Sequence, residues 1–171
     1  YDPVQSTVVW GVLGVDLDDV ERIEIVRGPS AAAHGSNAFS GAVNIITRAP
    51  VQDDGTRLRV TGGDRGTRRV SLSHSDQTTD FDYRLSLGFD HNDGFPDYNA
   101  LGPDDGAEAW NLNLRTTFTP TLADTFSFDG GFVRHDTEFG DADRLDEYLP
   151  VRYYSQFQRL AWQRQLAAGN E

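Results

Sequence analysis

The sequence predicts a mainly β fold, namely a partial transmembrane antiparallel β-barrel of about six strands preceded by part of a small α+β domain. Three observations support this prediction. Residues 20–48 read as strand, tight turn, helical turn and strand; apolar and polar residues then alternate with a period of two; and the connections alternate between short and long. Repeated strands with one apolar face are typical of a barrel wall.

A first strand is predicted from Val20 to Arg27, because Ile23 and Ile25 alternate with charged neighbours. One face of this strand is expected to be buried. Just before it, Asp16 is placed to cap the free N–H groups of a short helical start.

A turn and a second strand follow. Gly28 and Pro29 end the first strand, and the alanines at 31–33 predict one helical turn. Gly35 can adopt the left-handed geometry that closes so short a helix. The sequence AVNIIT at 42–47 predicts a strand that is apolar on both faces.

A polar, proline-containing stretch at 49–55 predicts a hinge between two domains, 1–50 and 51–171. The period of two begins after it. Apolar residues at 58, 60, 70 and 72 alternate with polar ones on either side of a glycine-rich connection, which predicts a hairpin.

The clearest strand of the chain spans residues 81–89. Its apolar side is expected to face lipid and its other side, with Arg84 and Ser86, to face the barrel interior. The apolar set is Phe81, Tyr83, Leu85, Leu87 and Phe89. Further strands are predicted near 110–118, 126–133 and 153–166, the last with poor alternation.

The connections near 75–80 and 119–124 are short, whereas those near 91–107 and 136–150 are long and acidic. Outer-membrane barrels have short periplasmic turns and longer extracellular loops. The spacing therefore places the two acidic loops outside the cell.

Composition argues against several classes of function. The chain has no lysine, which excludes a P-loop, and no cysteine, which excludes disulfides and thiolate metal sites. A net charge of −12 disfavours nucleic acid as a partner. The four histidines lack ligand spacing and a plausible nucleophile nearby, so no enzymatic activity is predicted.

Three blocks between residues 23 and 48, IEIVRGP, HGSNAFSG and VNIITR, carry a family resemblance. In this order they resemble the C-terminal half of the plug domain of TonB-dependent outer-membrane receptors, the gated transporters of Gram-negative bacteria. The residues that match the plug motif, with an expected structural or gating role, are Arg27, Gly28, Pro29, Gly35, Gly41 and Asn44.

The resemblance implies energy-coupled uptake of a siderophore, a cobalamin or a similar metal chelate across the outer membrane. In this family a plug fills a barrel of about 22 strands, too wide for its own side chains to close. The implied partners are outer-membrane lipid, the small-molecule chelate and the TonB energy-coupling complex. The coupling segment and most of the barrel are expected to lie outside this chain.

The resemblance also implies that a loop near residues 1–10 projects toward the extracellular side and touches the ligand. Aromatic and small polar side chains there would suit a bulky chelate. The candidate ligand-binding residues are Tyr1, Asp2, Gln5, Ser6, Thr7 and Trp10. An ordinary loop with Trp10 packed in the core is an equal alternative.

No cofactor is expected, although the second acidic loop offers weak candidates for structural Ca²⁺. Asp141, Asp143 and Asp146 supply hard oxygen ligands, but they lack the glycine and distal glutamate of an EF-hand loop. A solvated acidic loop is the favoured interpretation.

The alternative from a different class is a secreted, soluble all-β binding or adhesion module. Its apolar strand faces would pack into a sandwich core instead of against lipid. The two architectures differ in the opposite face of each strand, which is polar only where it lines a lumen.

Overall fold

The computed structural model describes residues 12–29, 38, 40–50, 54–94, 106–141 and 144–166, and for residues 138–149 it describes the backbone alone. The described strands form a two-stranded and a six-stranded sheet, both antiparallel. The strands are β1 Val20–Arg27, β2 Gly41–Thr47, β3 Gly55–Gly62, β4 Arg68–Gln77, β5 Phe81–Asn92, β6 Ala107–Phe118, β7 Asp124–Asp141 and β8 Arg144–Arg164. The predicted helical turn at 31–33 and Gly35 lie outside the described residues.

A 3-10 turn at Leu17–Asp19 leads directly into β1. Its cap is Asp16, as predicted, whose carboxylate accepts a hydrogen bond from the Asp18 N–H at 2.8 Å. Within the described ranges no helix is long and apolar enough to cross a membrane.

The two-stranded sheet pairs Ile23 with Ile45 and Ile25 with Val43, which places these apolar side chains on one face. Gly28 ends β1 with φ +94°, and its N–H donates to the Ser40 carbonyl at 3.0 Å. The expectation that this apolar face is buried is wrong for the described chain, since Ile25 is 66% exposed.

The six-stranded sheet, called the wall below, is a meander in which each strand pairs with the next along the chain, from β3 to β8. The two short turns lie side by side at one rim, where the Thr119 N–H donates to the Asp80 carbonyl at 2.7 Å. At the opposite rim the Asp93 N–H donates to the Arg65 carbonyl at 2.8 Å. The predicted strand order and the two short connections are therefore correct.

One face of the wall, the outer face, is apolar and is arranged in horizontal rows. In the middle row Leu85 pairs with Leu114, and in the next Leu87 pairs with Leu112. Rows rich in aromatic residues flank them. Phe81, Phe118, Phe126 and Trp162 form the row near one rim. The row toward the other rim contains Phe89, Trp110 and Tyr154, with Arg134 between the last two. From Phe81 to Phe89 the band is about 27 Å long along the strand, which corresponds to a height of about 20 Å at the usual strand tilt of roughly 40°. The apolar band of an outer-membrane barrel is about 25 Å tall, so the two heights are of the same order.

The opposite, inner face of the wall is polar. It carries Ser75, Arg84, Arg115 and Asp129 in one row, and Ser73, Ser86 and Asn113 in the next. Arg84 and Ser86 are each only 4% exposed, whereas Leu87 on the other face is 42% exposed. The predicted division of this strand into an apolar face and an inward polar face is confirmed, and contact of the apolar face with lipid stays a prediction. A polar inner face favours a barrel wall over a sandwich core.

The prediction of a second long acidic loop at 136–150 is wrong. β7 continues to Asp141 and β8 begins at Arg144, so the two strands form one long hairpin. The last strand accordingly starts well before the predicted residue 153 and ends at Arg164. An 18-residue strand spans about 60 Å, so this hairpin extends beyond a wall of ordinary height.

Candidate functional site at the inner face of the wall

The acidic turn, residues Asp16–Asp19, lies against the inner face of the wall. Asp16 and Asp19 are buried, with 7% and 6% exposure. Carboxylates are rarely so buried unless they are paired or hydrogen-bonded. Asp16, Asp18 and Asp19 each have such a partner.

Asp19 forms a buried ion pair with Arg84 of β5. Its Oδ1 accepts hydrogen bonds from Arg84 Nη2 at 2.6 Å and from Nε at 3.1 Å. The remaining Nη1 donates to Ser75 Oγ of β4 at 3.0 Å. Because both charges are buried, removing either one would leave the other without compensation.

Asp18 makes a second connection, to the edge of the wall. It forms an ion pair with Arg59 of β3 and accepts a hydrogen bond from Ser71 Oγ of β4 at 3.0 Å. The guanidinium of Arg59 is 58% exposed, so this pair is weaker than the buried one.

The described part of residues 1–50, called the first segment below, also contacts β6. The contacts come from the end of β2 and from Gly14. Arg115 Nη1 donates to the carbonyl oxygens of Thr47 and Arg48, each at 3.2 Å, while its Nε donates to Asp129 at 2.5 Å. Asn113 Nδ2 donates to the Gly14 carbonyl at 2.7 Å. The Arg48 N–H in turn donates to the Asp19 carbonyl at 2.8 Å, which ties the two attachments together.

Small side chains on the wall allow the acidic turn to approach closely. Ser71, Ser73, Ser75 and Ser86 are all buried on the inner face. A cavity of about 80 Å³ remains beside the buried pair. Its polar lining includes Asp19, Arg48, Arg84, Asn113, Arg115 and Asp129.

Burial raises the pKa of Asp16 above its usual value of 3.8, against the opposing effect of the hydrogen bond from the Asp18 N–H. A raised carboxyl pKa means that the folded state holds this proton more tightly than the unfolded chain. The associated stability is complete below the unfolded pKa and is lost as pH rises through the folded pKa.

We expect Asp16→Asn to keep the cap and remove this pH dependence, so that the turn is at least as stable as the native one at pH 7. Asp16→Ala should lose the cap, at a cost of roughly 0.5–2 kcal/mol. Hydrogen exchange of the turn amides in the folded protein measures both effects. A turn equally weakened by both substitutions would show that the carboxylate charge, and not the cap, matters.

The contacts between the first segment and the inner face of the wall are called the docking site. The predicted plug-motif residues are not among the residues that form it. Arg27 pairs with Gly41 across the two-stranded sheet, and Asn44 Nδ2 donates to Glu24 at 3.3 Å on that sheet. Their structural or gating role stays a prediction. The six candidate ligand-binding residues at 1–10 lie outside the described residues.

The structure also leaves the Ca²⁺ candidates as a prediction. Asp143 and the side chains of Asp141 and Asp146 are not described. Elsewhere in the described chain no three histidine or acidic side chains are grouped so that they could hold a metal ion.

Sequence reasoning placed Arg84 on the inward side of its strand without giving it a partner, and it missed the docking residues Asp18, Asp19 and Arg115. One available signal was this inward arginine at 84, which lies between Tyr83 and Leu85 in the middle of a wall strand. A charge on the inward side of such a strand requires a partner from another element. The partner itself, an aspartate 65 positions earlier, has no sequence signal.

Comparison with known proteins finds receptors and a transporter among the relatives. No family model matches the chain. The metal-pseudopaline receptor CntO of Pseudomonas aeruginosa is 31% identical over 86 residues, which cover 48% of this chain and 12% of that protein. The ferric enterobactin receptor PirA of the same species is 41% identical over 72 residues, covering 39% of this chain and 10% of the receptor.

The vitamin B12 transporter BtuB of Vibrio cholerae is 27% identical over 162 residues, covering 83% of this chain and 26% of the transporter. Among solved structures, the ferric enterobactin receptor PfeA of P. aeruginosa matches with a TM-score of 0.55 and 21% identity, covering 86% of this chain and 27% of that one. This chain therefore spans between a tenth and about a quarter of these relatives' lengths. The predicted resemblance to TonB-dependent receptors and the predicted mainly β, partial-barrel fold are both confirmed.

Proposed function

We propose that this chain, a segment of a TonB-dependent receptor of the Gram-negative outer membrane, serves the energy-coupled uptake of a siderophore, a cobalamin or a similar metal chelate. The relatives are named as receptors for metal-pseudopaline and ferric enterobactin and as a vitamin B12 transporter. They are receptors and transporters, which supports a role in binding and transport rather than in catalysis.

The observation that carries the proposal is the docking of the first segment on the inner face of the wall through polar contacts. The buried Asp19–Arg84 pair, the Asp18–Arg59 pair and the carbonyl contacts of Arg115 join the two parts. Such contacts are directional and hold one arrangement, but they expose little apolar surface when they break. A docked segment of this kind suits a gate that must release and return.

In the proposed mechanism the first 50 residues belong to the plug and the remainder to the barrel. The ligand binds from outside, and the TonB complex supplies the force through a part of the receptor beyond this chain. The Arg48–Asp19 backbone hydrogen bond couples the end of β2 to the acidic turn, so displacement of one pulls on the other. The apolar outer face of the wall contacts lipid.

A disulfide between the acidic turn and the wall tests this gate. Asp18 and Ser71 are in hydrogen-bond contact, and the native chain has no cysteine, so Asp18→Cys with Ser71→Cys introduces one defined pair. In the receptor that contains this segment, oxidation should abolish chelate uptake while leaving surface binding intact. Reduction should restore uptake.

The matched control is Thr56→Cys with His74→Cys, a directly paired position whose disulfide would join two wall strands only. Uptake should survive oxidation of this control. Undiminished uptake by the oxidised Asp18–Ser71 variant, with the disulfide verified by mass spectrometry, would rule out release of the acidic turn as a step in transport.

A further inference from the structure

The inner face of the wall carries an excess of positive charge at the level of the acidic turn. Arg84 and Arg115 are directly opposite each other on β5 and β6, and Asp129 separates Arg115 from Arg159 in the same row. Like charges placed directly opposite are destabilising unless anions lie between them. The row therefore requires negative charge from another element.

The acidic turn supplies that charge. Asp19 binds Arg84, and Asp18 binds Arg59 two rows further along the inner face. In the Arg84 row of the described wall, one carboxylate comes from the wall itself: Asp129 binds Arg115 at 2.5 Å and lies 4.0 Å from Arg159. If the turn leaves, Arg84, Arg115 and Arg159 share that carboxylate, and Arg59 loses its ion pair with Asp18.

We propose that these four arginines form a cationic track for an anionic metal chelate, with the carboxylates of Asp18 and Asp19 occupying the positions that anionic groups of the cargo take during passage. This inference rests on the proposed function, since the track is uncovered only when the docked segment moves. It names the charge class of the substrate, which the net charge of −12 for the whole chain does not indicate.

Guanidinium groups suit this role because they stay charged at every physiological pH and bind carboxylate, phenolate or phosphate oxygens through paired N–H donors. A narrow space lined by one sign of charge concentrates ions of the opposite sign. The buried serines Ser73, Ser75 and Ser86 add small donors between the arginines. A neutral chelate would lack compensation for the uncovered cations.

The test uses the receptor that contains this segment and three labelled probes: trianionic iron(III) tris-catecholate, neutral iron(III) tris-acetohydroxamate and vitamin B12. We expect uptake of the anionic complex to exceed that of both other probes. Arg59→Gln and Arg115→Gln, which alter partly exposed side chains, should each lower uptake of the anionic probe by roughly tenfold. The same variants should change surface binding less than twofold.

Arg164→Gln is the matched control, since this arginine lies at the opposite end of β8 from the hairpin, near Asp124 at the short-turn rim. It should leave anionic uptake unchanged. Uptake of a neutral probe alone, or equal anionic uptake by Arg59→Gln, Arg115→Gln and the native receptor, would overturn the cationic track while leaving the transport function standing. Uptake of none of the three probes would count against the proposed function as well.

Discussion

Replacing Arg84 by methionine is expected to cost about 3–5 kcal/mol of the free energy that holds the acidic turn on the wall. The substitution leaves Asp19, which is 6% exposed, as a buried carboxylate without its cation. It also removes the donor to Ser75. Hydrogen exchange of the Asp19 and Arg48 amides in the receptor that contains this segment reports the local opening free energy.

Two controls separate the buried pair from a general effect of losing an arginine. Arg164→Met breaks a partly exposed contact at 3.8 Å and should cost no more than about 1 kcal/mol. Adding Asp19→Leu to Arg84→Met should recover much of the loss, because the uncompensated charge is gone. A single Arg84→Met variant that matches Arg164→Met would show that the buried pair does not hold the turn.

Leu85→Arg is expected to destabilise the wall by about 2–4 kcal/mol in a bilayer. Leu85 lies in the middle of the five outer-face rows, between the two aromatic rows, and pairs with Leu114. A guanidinium there must enter the centre of the apolar band or distort the bilayer. The measurement is the free energy of folding of the receptor into lipid vesicles.

His91→Arg is the control for position along the membrane normal. His91 lies on the same strand and the same face as Leu85, but just beyond the row that contains Phe89 and Trp110. An arginine at this level should cost about 0–1 kcal/mol. Equal costs at 85 and 91 would mean that the outer face does not contact the hydrocarbon core.

The strand faces of β5 and β6 could be predicted from sequence because the large apolar residues of these strands lie on one side only. Residues 81–89 alternate without interruption, and a shift of one residue would bury every leucine on the polar face. The Asp16 cap was equally predictable, since capping depends on residues within one turn.

The β7–β8 hairpin could not be predicted in the same way. Beyond the apolar band both faces of a hairpin meet water, so its strands need no period of two. Acidic residues at 136–150 then resemble those of a loop, although the backbone ladder continues to Asp141. Local composition misled the prediction because the pairing is non-local.

The docking site was beyond sequence reasoning for a related reason. Asp19 and Arg84 are 65 residues apart, and although an inward arginine indicates that a partner is needed, neither segment identifies that partner. Only the packing of the turn on β4 and β5 brings them together. The apolar face of β1 and β2 was likewise expected to be buried, but a sequence pattern does not reveal which element covers it.

Nitroxide scanning of residues 81–89 in the receptor that contains this segment, reconstituted in lipid, tests the central claim that the first segment docks on the inner face of a membrane wall. The native chain has no cysteine, so each introduced label is unique. Labels at 81, 83, 85, 87 and 89 should be accessible to lipid-soluble oxygen. Arg84 is left in place, because it holds the acidic turn. The label at 86 should be shielded from both oxygen and a water-soluble nickel reagent, because the first segment covers this position. Oxygen access at 86 with none at 85 and 87 would contradict the account.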